Sequence, residues 1–308
     1  MGIGDDAAVV AAGGALAVTS VDAMVEGVHF RLGEGWSTPA EVGHRALAGA
    51  LSDLAAMGAR PGEAYVVLGL PEGFGERAAL ELMRAAGDCA RAAGALIAGG
   101  DVVASPVLSV SVTAVGWADR AEELALRSGA RAGDLVGVTG ALGAAAAALA
   151  VMERGGERSH AALAVLAAAP APAPRLREGR ALAGAGVSAM IDVSDGVSSD
   201  AARIAQSSGV EIEIELLQLP LQRGVREVSQ ELAQDPWLLA ASGGEDYELL
   251  FCAPPALRED VEQAVAQAGG EVAVSWVGRV LAAGAGGVRF VDERGEPVEV
   301  KPGYEHRF

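Results

Sequence analysis

Apolar and polar positions along the chain follow two different periods. In residues 107–115, Leu108, Val110, Val112 and Ala114 alternate with Val107, Ser109, Ser111 and Thr113. That period of two predicts a long, half-buried strand. A shorter strand is predicted over residues 16–21. Thr38-Pro39-Ala40-Glu41 has the form of a capping box with proline at the first helical position. It predicts a helix running to Met57 and stopping at Gly58. Further strands are predicted at 65–70, closed by Pro71, and at 95–98, running into Gly99-Gly100-Asp101, with a helix over 75–93 between them.

The second half repeats the mixture. Strands are predicted at 135–138, 189–193, 211–216 and 247–253, with a hairpin around Glu293-Arg-Gly-Glu296. An Ala-rich helix follows the first of these strands. Helices are also predicted from Val197 and over 255–268. Pro170-Ala-Pro-Ala-Pro174 reads as a stiff extended segment. Residues 118–133 are charged and read as a linker. The expectation is an α+β (mixed α/β) protein with a domain over 1–118, a linker over 119–133 and a second domain over 134–308. No repeat at solenoid periods is seen.

Composition narrows the picture. Of 308 residues, 51% are hydrophobic, but 65 are Ala and 42 Gly, so the cores are expected to be small-residue and closely packed. Acidic residues number 41 against 23 basic ones, giving a formal charge of −18, and Lys301 is the only lysine. A lysine P-loop and a protein-kinase lysine are therefore excluded. The acid excess argues against nucleic-acid partners and against an anionic membrane surface. The uncharged run over 135–152 is Ala- and Gly-rich, with a turn signal at Thr139-Gly140, and reads as strand, turn and helix instead of a membrane span. Cys89 and Cys252 cannot make a disulfide framework, and no signal peptide precedes Gly2-Ile-Gly-Asp-Asp, so a reduced cytoplasm is expected.

The candidate chemistry lies in where the acids fall. Asp5 and Asp6 follow Gly4, Asp22 ends a strand, and Asp101 follows Gly99-Gly100. Asp192 and Asp195 flank Ser194 ahead of Gly196, and Glu245-Asp246 follows Gly243-Gly244. Small residues let a backbone approach a ligand closely, and each motif puts carboxylates at that point. Oxygen-only clusters of this kind suit Mg²⁺, whose remaining positions go to water and phosphate oxygens. Zinc is disfavoured, since no His/Cys ligand spacing occurs. Asp53, inside the capped helix, is either a boundary side chain or a metal ligand facing a cleft. His29 is either a phosphate donor or a core histidine, and Arg127 either a phosphate clamp or a solvated charge. His44, His160 and His306 read as surface or packing residues. Serine-hydrolase, zinc-protease and thioredoxin motifs are absent from the sequence.

Several segments carry a family resemblance. They are Gly2-Ile-Gly-Asp-Asp-Ala-Ala-Val9, Val25-Glu-Gly-Val-His-Phe30, Leu51-Ser-Asp-Leu-Ala-Ala-Met-Gly-Ala59, Gly99-Gly-Asp101, Arg127-Ser-Gly129, Val138-Thr-Gly140, Ile191-Asp-Val-Ser-Asp-Gly196 and Ser242-Gly-Gly-Glu-Asp-Tyr-Glu-Leu-Leu-Phe251. In that order they resemble thiamine-monophosphate kinases over nearly the whole chain. The resemblance implies ATP-dependent phosphorylation of thiamine monophosphate to thiamine diphosphate by in-line γ-phosphoryl transfer. It implies the two-domain fold of aminoimidazole-ribonucleotide synthetase, with the N-terminal domains of two subunits paired in a homodimer. It further implies several Mg²⁺ ions held by Asp6, Asp22, Asp53, Asp101, Asp192 and Asp195, with Ser20 and Val21 beside them. Asp53 and Asp101 would be the catalytic carboxylates. Gly100, Asp101, Arg127 and Ser194 are implied for ATP, and His29, Glu245 and Tyr304 for the acceptor.

Three segments depart from the family pattern: Val102-Val-Ala-Ser-Pro106 after Asp101, Gly143-Ala144-Ala145, and Ala50 before Leu51-Ser-Asp. Within the superfamily, a selenophosphate synthetase would need an early reactive Cys, and the first here is Cys89. A hydrogenase-maturation carbamoyl dehydratase would end in Cys. A non-catalytic Mg-nucleotide-binding homologue is the reading from a different class.

Overall fold

The computed structural model describes residues 4–156, 158–283 and 286–304; Gly2 and Ile3 of the first motif and His306 lie outside the described residues. Strands β1 (Ala8–Ala12), β2 (Ala15–Val25), β3 (Arg60–Leu70), β4 (Leu96–Ala104) and β5 (Ser109–Ala118) form one sheet in the order β1-β2-β5-β3-β4. Only β3 and β4 run parallel. The expected alternation holds in β5, where Val110, Val112 and Ala114 are buried. The same period puts Val18, Ser20 and Met24 of β2 on the buried face. Helices α1 (Pro39–Ala56) and α2 (Glu76–Ala93) pack together, with α1 against β2 and β5. On the far face Val10, Val21, Tyr65 and Val67 stay exposed.

The capping box forms as its sequence predicts. Thr38 Oγ1 accepts from the Glu41 backbone N–H, and Glu41 Oε2 accepts from the Thr38 N–H at 2.7 Å. The helix ends at Met57, and Gly58 takes a left-handed φ of 68°. Arg60-Pro61-Gly62 opens β3, which begins five residues before the strand expected at 65–70. Pro61 pairs with Gly116 of β5, and β4 begins opposite Glu63, so Pro61 has a strand on one side only, where proline is tolerated.

The second sheet is built from β6 (Leu135–Thr139), β7 (Ala189–Asp192), β8 (Val210–Glu215), β9 (Leu249–Ala253), β10 (Val274–Ala283), β11 (Val288–Val291) and β12 (Pro297–Val298). Its order is β12-β11-β8-β10-β6-β9-β7. The terminal hairpin pairs β11 with β12 as expected. Strand β10 was not predicted. It carries Gly278 mid-strand and a register shift between Trp276 and Gly278. A Cβ at Gly278 would lie 2.0 Å from the Glu213 carbonyl oxygen, so the glycine permits a close strand approach.

Helices α3 (Ala144–Arg154), α4 (His160–Ala168), α5 (Leu176–Ala185), α6 (Val197–Ser208), α7 (Val225–Glu231), α8 (Pro236–Ser242) and α9 (Arg258–Gln267) complete the chain. The Ala-rich run is thus two helices, broken at Gly155-Gly156.

Helix α1 is buried on nearly all sides because it also packs on α5 and β7. Leu47 and Leu51 of α1 share one core with Met190, Leu249 and Phe251 of the second sheet. Burying each such side chain contributes about 2 kcal/mol. The charged stretch after β5 is not a free linker. Ala125 and Ala130 are buried, and Arg60 pairs with Asp119. Among the described residues no helix is long and apolar enough to cross a membrane.

Candidate active site

The cleft is built around α1. Glu41, Arg45, Gly49 and Asp53 recur every four residues and therefore share one side of the helix. All four line a cavity of about 940 Å³ between the two sheets. The opposite wall comes from the end of β7 and the loop before α6, with Asp192, Ser194 and Asp195.

At the base of the cleft, carboxylate oxygens of Asp6, Asp53 and Asp192 lie within 4.8 Å of one another. Ser20 donates its hydroxyl hydrogen bond to Asp53. Burial, followed by the charge of Asp6, pushes the Asp53 carboxyl up to about 8. Burial and the charges of Asp53 and Asp6 hold Asp192 well above the usual carboxylate range. Asp6 is likewise raised by burial, partly offset by Arg127. Asp192 Oδ2 is buried with no hydrogen-bond partner. Three crowded carboxylates with an orphaned oxygen are an unstable set by themselves. The all-oxygen donor set fits a hard divalent cation such as Mg²⁺, whose charge would reverse the mutual repulsion.

Asp22 reaches the same cavity from the buried face of β2, with its Oδ1 accepting from the Ala23 N–H at 2.7 Å. Val21 is 72% exposed on the other face, so only its backbone is available to the site. Arg127 is neither solvated nor free. Its Nε and Nη2 donate to the two Asp6 carboxylate oxygens at 3.1 and 2.8 Å, and its backbone N–H donates to Asp5. Asp195 pairs with Arg203 at the cavity edge.

Asp101 and Gly100 are placed elsewhere. Gly99-Gly100-Asp101 is not a turn but the middle of β4, where a Cβ at Gly100 would lie 1.8 Å from the Val66 carbonyl oxygen. Asp101 is exposed and pairs with Val67. Two strands, β5 and β3, separate β4 from Asp22's strand, or about 14 Å at ordinary strand spacing. A single chain therefore does not bring Asp101 to the Asp6, Asp53 and Asp192 cluster. The glycines here serve a close approach of two strands, not of a ligand.

The acceptor candidates do converge. His29, Glu245 and Tyr304 all line the cavity. His29 Nδ1 accepts from the Val25 N–H at 3.0 Å, and its ring lies 6.4 Å from that of Tyr304. The Tyr304 backbone N–H donates to the Asp195 carbonyl at 2.9 Å, fastening the C-terminal stretch beside α6. Glu245 pairs with Arg45. Its loop lies directly on the loop before α6. The Glu245 N–H donates to the Ser194 carbonyl at 2.8 Å, and a Cβ at Gly244 would lie 2.3 Å from that same oxygen.

Four further residues emerge only in three dimensions. Asp200 accepts from the backbone N–H groups of Ser194, Asp195 and Gly196, each at 3.1 Å, and so shapes that loop. Arg203 pairs with both Asp195 and Asp200. Buried Tyr247 stands with its hydroxyl beside Gly49, as does the Asp22 carboxylate. Arg45 is the fourth; it lies eight residues before Asp53, on the same side of α1, a spacing through which the sequence could have pointed to it.

Fold and site together define a two-domain α+β protein of the AIR synthase related class. The family model "AIR synthase related protein, N-terminal domain" matches residues 4–118, and "AIR synthase related protein, C-terminal domain" matches residues 131–291. A thiamine-monophosphate kinase of Mycobacterium tuberculosis is 40% identical over 253 residues, 82% of this chain and 74% of that protein. The thiamine-monophosphate kinase of Halobacterium salinarum is 37% identical over 287 residues, 93% of this chain and 90% of that protein. The solved structure of AaThiL complexed with AMPPCP and TMP superposes with a TM-score of 0.84 at 30% identity, covering 99% of this chain and 92% of that one. The chain belongs to the thiamine-monophosphate kinase family.

Proposed function

We propose that the protein transfers the γ-phosphoryl group of Mg²⁺-ATP directly to thiamine monophosphate, giving thiamine diphosphate and ADP. The observation that carries this reading is the cleft itself. A carboxylate cluster in which Arg127 answers Asp6, but no cation among the described residues pairs with Asp53 or Asp192, opens on one cavity with the three candidate acceptor contacts. A relative of the same fold, complexed with AMPPCP and TMP, supports the choice of substrates.

In this reading Asp6, Asp53 and Asp192 hold Mg²⁺, with Asp22 beside them. Bound there, Mg²⁺ would supply the positive charge that lets the ATP polyphosphate and the acceptor's phosphate approach and would neutralise charge as it develops. Ser20 orients Asp53 through its hydroxyl. Arg127, now clamped on Asp6, and Ser194 face the nucleotide. His29, Glu245 and Tyr304 hold the acceptor. A phosphate oxygen of the acceptor bonds to the γ-phosphorus as the bond to the β,γ-bridging oxygen breaks. That oxygen is already anionic, so the protein needs to position it and not to deprotonate it. Pairing of two chains through the exposed face carrying Val10, Val21, Tyr65 and Val67 belongs to the same reading. So does a reducing cytoplasm, which suits two buried free cysteines.

The test is direct. Purified protein with Mg²⁺, ATP and thiamine monophosphate is expected to yield thiamine diphosphate and ADP in equal amounts by chromatography. Absence of the diphosphate while Mg²⁺-ATP still raises the thermal midpoint would overturn the reading in favour of a non-catalytic nucleotide binder.

A further inference from the structure

Two of the proposed acceptor contacts, His29 and Glu245, come from different domains, and one buried side chain touches both. Arg45 has a side chain only 11% exposed. Its Nη2 donates to Glu245 Oε1 at 3.0 Å and lies 2.9 Å from Oε2. The same nitrogen donates to the His29 carbonyl at 3.1 Å. Nη1 reaches Ser37 Oγ at 3.4 Å, on the segment that enters α1. The guanidinium thus joins three pieces of the cavity wall.

The segment it holds is costly to shape. Glu245 and Tyr247 both adopt left-handed φ values, 63° and 50°. Such conformations in non-glycine residues cost about 1–3 kcal/mol and persist only where neighbours enforce them. The pair also differs from a purely structural one. Arg45 Nε is buried with no partner, while the Glu245 carboxylate is 35% exposed towards the cavity. A buried cation that leaves one donor unused and holds its carboxylate half open is arranged around something that enters the cleft.

We propose that Arg45 is a positioning residue of the acceptor subsite: its guanidinium ties the Glu245 carboxylate to the His29 carbonyl and so sets the distance between the two walls that receive the acceptor. The proposal rests on the reading of the cleft given above. Arg45 lies two turns of α1, about 12 Å, from Asp53, and the Glu245 loop meets Ser194 through a backbone hydrogen bond that does not involve the guanidinium, so its effect falls on acceptor binding more than on the nucleotide. A lysine keeps the charge but not the planar fork that serves several acceptors at once.

The experiment compares steady-state kinetics of the full chain with Arg45→Gln, Arg45→Lys, Glu245→Gln and the Arg45→Gln/Glu245→Gln double variant. KM for thiamine monophosphate is expected to rise about tenfold or more in Arg45→Gln, and less in Arg45→Lys, because charge-assisted hydrogen bonds are lost. KM for Mg²⁺-ATP is expected to stay within about twofold. The double variant is expected to be no worse than the poorer single one, since both remove the same link. An unchanged acceptor KM, equal rises in both KM values, or additive effects in the double variant would overturn the proposal. If Arg45→Gln does not fold, Arg45→Lys and Glu245→Gln carry the same comparison. A wild-type chain that makes no thiamine diphosphate overturns the underlying reading and this role with it. An active wild type with an unmoved acceptor KM overturns only the role of Arg45.

Discussion

Asp192, at the end of β7, and Glu248, just before its partner strand β9, stand almost side by side and are treated in opposite ways. Asp192 ends β7 opposite Leu249, and the Val193 N–H donates to the Glu248 carbonyl. Their exposures are nearly equal, 2% and 3%. Glu248 is fully satisfied. Arg175 donates to both of its oxygens, at 2.8 and 2.5 Å, and Thr139 donates at 2.7 Å. Asp192 has an orphaned oxygen and two acidic neighbours. Burial alone therefore says nothing about role. For Asp192 and Glu248, what separates the carboxylate that holds the fold from the one that waits for a ligand is whether the chain itself supplies the compensating charge; in the cluster beside Asp192, Arg127 answers Asp6 alone.

The largest expected effect comes from breaking the uncompensated side. Asp53→Asn removes one of the three clustered carboxyl groups. Turnover is expected to fall about a thousandfold, as befits loss of a ligand to a charge-neutralising cation. Without Mg²⁺, however, the thermal midpoint should hold at neutral pH, where an Asp53 carboxyl pushed up to about 8 is mostly protonated already. Assays over a Mg²⁺ series, paired with melting curves in chelator, measure both. Turnover within a few-fold of wild type would remove Asp53 from the metal set.

The compensated side should behave in reverse. Glu248→Ala leaves the half-buried Arg175 guanidinium without its partner and Thr139 without its acceptor. Stability is expected to drop by about 3 kcal/mol in denaturant titrations. The folded fraction should keep Mg²⁺ dependence close to wild type. A stability change near zero, or a large shift in Mg²⁺ requirement, would mean the two carboxylates are not divided as described.

This division was only half legible in the sequence. Acids beside small residues marked Asp6, Asp22, Asp192 and Glu245, and all of these reach the cleft or its base. The same pattern also marked Asp246, which instead accepts from the Gly143 N–H at the start of α3. It marked Asp101 too, which sits in an edge strand. Glycine next to aspartate records a close backbone approach, and the sequence does not say whether a ligand, a helix end or another strand is approaching. Compensation was hidden for a different reason. Arg175 and Glu248 are 73 residues apart, and Arg45 and Glu245 are 200 apart. Such pairs have no local signature. The capping box and the alternation of β5 were legible because their partners lie within a few residues or within one strand.

The smallest expected effect tests the boundary between the two kinds of position. Gly49 sits inside α1, where glycine costs about 1 kcal/mol relative to alanine. The position gives up that stability for space. A Cβ there would lie 2.8 Å from Asp22 Oδ2 and 3.2 Å from the Tyr247 hydroxyl. Gly49→Ala forces the Asp22 carboxylate to turn aside, while the helix gains propensity. The two effects oppose each other in stability, so the net change is expected to stay within about 1 kcal/mol. Function has no such offset. The Mg²⁺ concentration for half-maximal activity is expected to rise about threefold to tenfold, as a displaced ligand binds less well. A variant that is more stable and keeps its Mg²⁺ requirement would show that the space at Gly49 does not serve Asp22. The proposed metal set would then end at Asp6, Asp53 and Asp192.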